Sequence, residues 1–286
     1  MIYQTACYTD QGEFRPSNQD SCCVKIAQMG GEQVALALMC DGLGGLVQGE
    51  LASAEVVRAF DSWFWNYLTE LLREGLDESR LSAQWNGLIQ GANRAIRTYG
   101  MDHGITLGTT VTAFLAVGER YFLLHAGDCR AYLLYSGQTL QLTMDQTLAA
   151  REYRAGHISA AQLRADERQH VLLQCVGVSQ VTPDFLSGQL PGECTVLLCS
   201  DGFYHTLAPG ELAGLSAPPL KGAAVQLELE RLGALCRQRG EQDNLTAAAL
   251  LCLPSVCPPT ASMEGGGESE FRVLLDLTQI HTQQTI

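Results

Sequence analysis

The sequence predicts an α+β fold: antiparallel sheet with helices packed outside it. Two observations lead there. Apolar runs of strand length are joined by connections too short for a parallel crossover. The long helical periodicities come one after the other instead of alternating strand by strand, so the βαβα pattern of a parallel sheet is absent. The strands then form either one sheet or two lying face to face.

Residues 2–9, 21–28 and 33–40 read as strands, rich in Val, Ile, Leu, Tyr and Cys, and Gly30-Gly31 supplies a hairpin turn between the second and third. Residues 49–73 read as one long helix: Leu51, Ala54, Phe60, Phe64, Leu68 and Leu71 give it an apolar side, and Gly75 lies just past its end. A second helix covers 82–99, with Ser82 as N-cap, Trp85, Leu88, Ile89, Ala92 and Ile96 at helical spacing, and Gly100 as the stop. Its aromatics belong to the core. Strands follow at 109–117, 120–126 and 130–135, joined by "VGER" and "AGDCR", which reads as an antiparallel meander. Residues 146–170 are polar, with two short helical patterns, and read as a surface excursion. Strands return at 171–176, 183–188 and 194–199, helices at 209–215 and 221–239, and a strand at 245–252. From 253 to 270 the composition shifts to Pro, Gly, Ser and Glu, a linker, before "FRVLLDLTQIHTQQTI" regains apolar character. The division is therefore 1–253 as one domain and 254–286 as linker and tail; the tail is either a frayed end or a docking segment whose apolar part adds to a sheet edge or groove, on this domain or a partner.

Bulk properties exclude several classes. The 286 residues suffice for one large core, and 46% hydrophobic with 17% charged residues is an ordinary globular balance. The net charge is −13, Lys25 and Lys221 are the only lysines, and no basic run exists, which argues against nucleic acid and against an anionic membrane. Eleven cysteines, an odd number with no CxxC pair, several of them inside apolar runs, fit a reducing cytoplasm better than a disulfide framework. The N-terminus lacks the pattern of a signal peptide, and no apolar run approaches the ~18 residues of a membrane span.

One device recurs along the chain. In "LALMCDGLGG" an apolar strand ends on Asp41-Gly42. "TVLLCSDGF" ends another on Asp201-Gly202, "RGEQDNLT" opens one with Asp243-Asn244, and "HAGDCR" puts Asp128 between two strands. Ahead of the second strand, "EFRPSNQDS" holds Arg15, Asn18 and Asp20. Each alone reads as a turn. Together they place five aspartates at strand ends, and short carboxylates with exposed carbonyls suit hard cations such as Mg²⁺ and Mn²⁺. The six histidines form neither HxH nor HExxH, and GxxxxGK[ST], GxSxG and a Cys with Arg six positions on are all missing.

The ordered set "RPSNQD", "DGLGG", "GTT", "AGDCRAYLL", "LTMDQT", "SDG" and "QDNLT" resembles the bacterial branch of the metal-dependent serine/threonine protein phosphatases, the PPM family or type 2C. Residues 151–177 are similar to that branch's flap, and the likeness runs from residue 1 to 253. It implies a four-layer α-β-β-α sandwich of two antiparallel sheets flanked by helices. It also implies two Mn²⁺ or Mg²⁺ ions at one end of the sandwich, which activate a water to attack phosphoserine or phosphothreonine. By position, Asp41 bridges both ions and the Gly42 carbonyl holds one. Asp201 and Asp243 hold the other, Asp128 serves a third, weaker ion, Asp20 supports the metal waters, and Arg15 clamps the substrate phosphate. Gly44 and Gly45 keep the approach clear. Implied partners are phosphorylated proteins, including a serine/threonine kinase and its substrates, met by a cytoplasmic monomer. The chain departs from the family at Gln19, usually Glu, at Gln146, often His, and at Cys129, usually a small hydroxyl residue. Two other readings stand beside the phosphatase: a pseudophosphatase that binds phosphoprotein without turnover, suggested by Gln19, and a two-metal hydrolase of small phosphate esters.

Overall fold

The computed structural model describes residues 1–43, 48–208, 210–216, 222–255 and 270–286. They build a four-layer sandwich. The strands are β1 (Ile2–Asp10), β2 (Ser21–Met29), β3 (Glu32–Cys40), β4 (Val111–Val117), β5 (Arg120–Ala126), β6 (Arg130–Tyr135), β7 (Gln138–Gln141), β8 (Asp184–Gln189), β9 (Cys194–Cys199), β10 (Leu245–Leu253) and β11 (Arg272–Gln279). One sheet has the order β1-β10-β9-β6-β7, the other β11-β2-β3-β4-β5-β8, and every pairing is antiparallel.

Both faces of the central strands are covered, which is why they read as continuous apolar runs. In β2, Cys22, Val24 and Ile26 face the other sheet, packing in one cluster with Phe114, Leu198 and Leu250. Cys23 and Ala27 face the opposite way, into a layer made by α1 (Gly49–Asn66), α2 (Leu68–Arg73) and α3 (Glu78–His103). There Trp85 meets Phe60 and Trp63 edge-on, with ring centroids 5.4 and 5.5 Å apart. On the other side, α7 (Gly222–Gln238) buries Val225, Leu229 and Leu232 against Leu197, Ala247 and Ala249 of the five-stranded sheet. No helix among the described residues is long and apolar enough to cross a membrane.

Several elements differ from the expectation. The predicted meander breaks after β5: β6 leaves the six-stranded sheet and pairs with β9 and β7 in the other. The crossing runs through Gly127, at φ 120°, where a Cβ would lie 2.6 Å from Thr110. The first long helix is two, divided at Tyr67. The second starts earlier and ends later. Asp77, not Ser82, caps it by accepting from the Arg80 N–H at 2.7 Å, and Gly104 in the left-handed region ends it. Gly100 is no stop but a contact point, since a Cβ there would lie 2.7 Å from the Ile105 carbonyl oxygen. Residues 171–176 form no strand; they make isolated bridges, Thr147 to Leu172 and Thr109 to Val176. Their apolar character reflects burial of Cys175 and Val176. The excursion at 146–170 holds α4 (Leu148–Arg154), α5 (Ala160–Arg164) and a short 3-10 turn, and α6 (Asp201–Tyr204) follows β9.

The tail from Arg272 adds a strand to the domain's own sheet. β11 pairs with β2 in nearly full register, with a bulge between Val273 and Leu275 that reverses the facing of the residues beyond it. Phe271 and Val273 pack toward the helices and Leu275 toward the opposite sheet. Past the bulge, Asp276 again faces the helices, where it meets the wholly buried ammonium of Lys25 at 2.6 Å; Asp61 of α1 meets the same nitrogen at 2.6 Å. Arg58 of α1 also donates to the Thr282 carbonyl at 3.0 Å.

Candidate metal centre

One end of the sandwich gathers the ends of several strands from both sheets. Asp41 follows β3, Asp20 precedes β2, Asp128 sits in the β5–β6 crossing, Asp201 follows β9 and opens α6, and Asp243 precedes β10. A groove of about 400 Å³ opens there, walled by Arg15, Asp41, Asp128, His170, Asp201 and Asp243.

Backbone contacts leave these carboxylates free to face the groove. The Asp41 N–H donates to Thr110 Oγ1 at 2.9 Å, and its carbonyl accepts from the Thr110 N–H and the Thr109 hydroxyl, each at 2.9 Å. Gly42 must be glycine: its N–H donates to the Gln19 carbonyl at 3.1 Å, and a Cβ would lie 2.6 Å from that oxygen and 2.5 Å from the Gly49 carbonyl. Gly202 is under the same constraint, since a Cβ there would lie 2.2 Å from the Asn244 carbonyl. Gly44 and Gly45 lie outside the described residues. Asp20, almost wholly buried, accepts from the Ser200 hydroxyl at 2.9 Å, and its own N–H donates to Asn18 at 3.1 Å. Asn244 ties the first loop to the last: it accepts from the Gln19 N–H at 2.8 Å and donates to the carbonyls of Gln11 and Ser17 at 2.8 and 3.1 Å.

The electrostatics are those of crowded acids. Burial first, then the neighbouring aspartates, pushes the Asp41 and Asp128 carboxyls well above the usual range. Asp20 is pushed up to about 7 by burial, in spite of its hydroxyl donors. At Asp201 burial acts upward too, but the His170 imidazole, 3.8 Å away, brings the carboxyl below its ordinary value. Arg15 grips Asp243 with two bonds, Nε to Oδ1 at 2.9 Å and Nη2 to Oδ2 at 2.6 Å.

These residues fit divalent cations. Four carboxylates line the groove with one guanidinium and one imidazole, Asp20 lies beneath them, and Asp201 Oδ1 is buried without a hydrogen-bond partner. All the donors are hard oxygens, as Mg²⁺ and Mn²⁺ require. Among the described residues no three acidic, histidine or cysteine side chains stand close enough to form a finished coordination shell. Two of the carboxylates are paired with cations: Asp243 with Arg15 and Asp201 with His170.

Every predicted site residue reaches this end of the sandwich, Asp20 beneath the groove and Gly42 beside Gln19. The sequence did not assign roles to His170, Ser200, Asn244, Thr109, Thr110 or Glu50. The signal for Thr109, Thr110, Ser200 and Asn244 lay within "GTT", "SDG" and "QDNLT", which mark positions without saying that these hydroxyls and amides would brace the carboxylates. Gln19 donates to Glu50 of α1 at 3.2 Å.

Comparison with known proteins follows this geometry. No family model matches the chain. It is 28% identical over 249 residues to the serine/threonine protein phosphatase PstP of Mycobacterium tuberculosis, an alignment that takes in 86% of this chain and 44% of PstP. A putative protein phosphatase 2C-type of Streptococcus pyogenes is 29% identical over 248 residues, 84% of this chain and 94% of that protein. So the chain spans under half the length of the mycobacterial relative and nearly all of the streptococcal one. Among solved structures, the PstP catalytic domain in complex with two manganese ions superposes with a TM-score of 0.71 at 26% identity, over 88% of this chain and 99% of that one. Stp1 from Staphylococcus aureus reaches 0.76 at 23% identity over 89% and 96%, a likeness of fold alone. Ordered motifs, a sandwich of this topology and similarity over 84–86% of the chain lead to one conclusion: in sequence and fold the chain is similar to bacterial PPM, type 2C, serine/threonine phosphatases.

Proposed function

We propose that this protein is a metal-dependent serine/threonine protein phosphatase. The observation that carries the reading is the convergence of Asp20, Asp41, Asp128, Asp201 and Asp243 on one groove that also holds Arg15. Asp41, the Gly42 carbonyl, Asp201 and Asp243 would hold two Mn²⁺ or Mg²⁺ ions, with Asp128 serving a third. When bound, such a pair supplies Lewis acidity and a water nucleophilic near neutral pH.

The chain's own residues do the remainder. Arg15, which borders the groove beside Asp243, would offer its paired donors to the phosphoryl oxygens. Asp20, held by Ser200, can accept a proton beneath the reacting water. His170, at the end of the excursion, lines the groove with Leu172 and Cys175. No protein nucleophile is required, consistent with the free and mostly buried state of the described cysteines.

The substrates would be phosphoproteins, and the partner a serine/threonine kinase that the enzyme opposes in cytoplasmic signalling, acting as a monomer. Residues 254–286 would serve as a linker and a tail that docks on the domain's own sheet through β11. Release of phosphate from a phosphothreonine peptide in Mn²⁺, compared with nucleotide and sugar phosphates, tests the reading. Turnover that vanishes with chelator and in Asp41→Asn is the expected result. Peptide binding without turnover would make the protein a pseudophosphatase, and exclusive action on small esters would make it a different hydrolase.

A further inference from the structure

We infer that a second depression beside the metal centre is a subsite for a large apolar side chain flanking the phosphorylated residue of the substrate peptide. The inference rests on the phosphatase reading above. The depression has a volume of about 360 Å³ and is formed by the C-terminal turns of α3, the 104–107 loop and Gly177-Val178. It adjoins the metal groove across Thr106 and Val178, which line both. Its floor is the buried Ile96 and Leu107, and its rim carries Met101 and Val178, which are 72% and 40% exposed.

The depression is built, not incidental. The Gly177 backbone packs directly on its floor, where no side chain fits. At Gly177, φ 100°, a Cβ would lie 2.4 Å from Ile96 Cγ2. The Gly177 turn is fixed from below by Asn93, whose buried carboxamide accepts from the Gly177 N–H at 2.6 Å and donates to the Ser179 carbonyl at 3.1 Å. The same wall is tied to the metal centre: Thr109 and Val176 exchange backbone bonds at 2.9 and 2.8 Å, and the Thr109 hydroxyl holds the Asp41 carbonyl.

A phosphoryl group seated between Asp41 and Arg15 obliges the peptide to leave the groove over one wall. An extended chain advances about 3.3 Å per residue, so a side chain a few residues from the phosphate reaches across the Thr106–Val178 ridge. An unbranched, adaptable methionine at the rim suits leucine, methionine or phenylalanine alike. The Arg97 guanidinium at the edge repels lysine and arginine at that position.

The test uses the full chain with Mn²⁺ and short phosphothreonine peptides carrying Ala, Leu, Phe, Asp or Lys at each flanking position. The expected result is one position, on one side only, where Leu or Phe raises kcat/KM about tenfold over Ala, within the range a few buried methylenes supply, and Lys lowers it. Met101→Glu should erase that preference, while turnover of p-nitrophenyl phosphate and Mn²⁺ affinity by calorimetry stay unchanged; Met101→Ala, a milder change, should reduce it. A flat profile, or a preference that survives Met101→Glu, with p-nitrophenyl phosphate still hydrolysed, overturns the subsite and leaves the phosphatase reading standing. Failure of the unaltered protein to hydrolyse any of these esters overturns that reading and this inference with it.

Discussion

Asp41 stands where burial and its four carboxylate neighbours raise its proton affinity, a crowding that a proton or a divalent cation relieves. Asp41→Asn should abolish turnover and weaken Mn²⁺ binding at least tenfold by calorimetry, whereas Arg15→Ala should raise KM with metal affinity intact. Gln19→Glu is more informative. Gln19 now donates to Glu50, so the change sets two carboxylates side by side in the metal-free protein. It should lower the metal-free melting temperature and enlarge the rise that saturating Mg²⁺ produces, because ions that bind the folded state alone stabilise it. Differential scanning in chelator and in Mg²⁺ measures both. The pH dependence follows from Asp20. Its folded-state value of about 7 exceeds the ordinary 3.8, so the folded state holds the proton more tightly than the unfolded chain does. That contribution to stability is present below about 4 and is lost as pH rises through about 7. The chelated protein should therefore lose melting temperature across that window, and Asp20→Asn should flatten the loss. Asp41, Asp201 and Asp243 were legible in the sequence because carboxylates that flank apolar strands and precede Gly or Asn are few. Their braces were not, because Ser200, Thr110 and Asn244 look like any other polar residue until the strands converge.

Strands declared themselves by composition and by turns such as Gly30-Gly31, both at positive φ, but their sheet membership did not. "AGDCR" reads as a hairpin turn, and locally nothing distinguishes a hairpin from a crossing between sheets. What decides is that Asp128 and Gly127 must reach the end of the sandwich beside Thr110. Gly100 misled for a related reason: a glycine late in a helical pattern looks like a terminus, yet here it admits the Ile105 carbonyl. The tail showed apolar character without a partner, and β11 found one in the open edge of β2. Lys25 gives that docking its energetics. Its buried ammonium is shared between Asp61 and Asp276, whose side chains are 40% and 39% exposed. Removing one partner of a wholly buried pair costs ~3–5 kcal/mol, and partial exposure of these carboxylates reduces that to about 1–2 kcal/mol. Asp276→Asn should destabilise the protein by that amount in urea titration. Combined with Lys25→Met, the loss should be less than the sum of the two single changes.

For the whole molecule, a net charge of −13 with a cluster of acids at one end predicts that divalent cations stabilise the fold. At one hundred times the dissociation constant a ligand adds about 2.7 kcal/mol, and for a chain of this size each kcal/mol moves the melting point by roughly 2–4 °C. Saturating Mn²⁺ should thus raise it by about 5–10 °C over chelator; no shift would mean that the cluster does not bind the ion. The bulge at Leu274 restricts the molecule in another way. Sliding β11 by one residue would turn Asp276 toward the opposite sheet, and sliding it by two would carry the carboxylate about 6.6 Å past Lys25. Neither setting satisfies the buried ammonium, so the last strand has no half-seated positions to drift through. It behaves as a latch with two settings, closed or open, and its amides should therefore exchange hydrogen with solvent at one shared opening free energy instead of fraying progressively from the end.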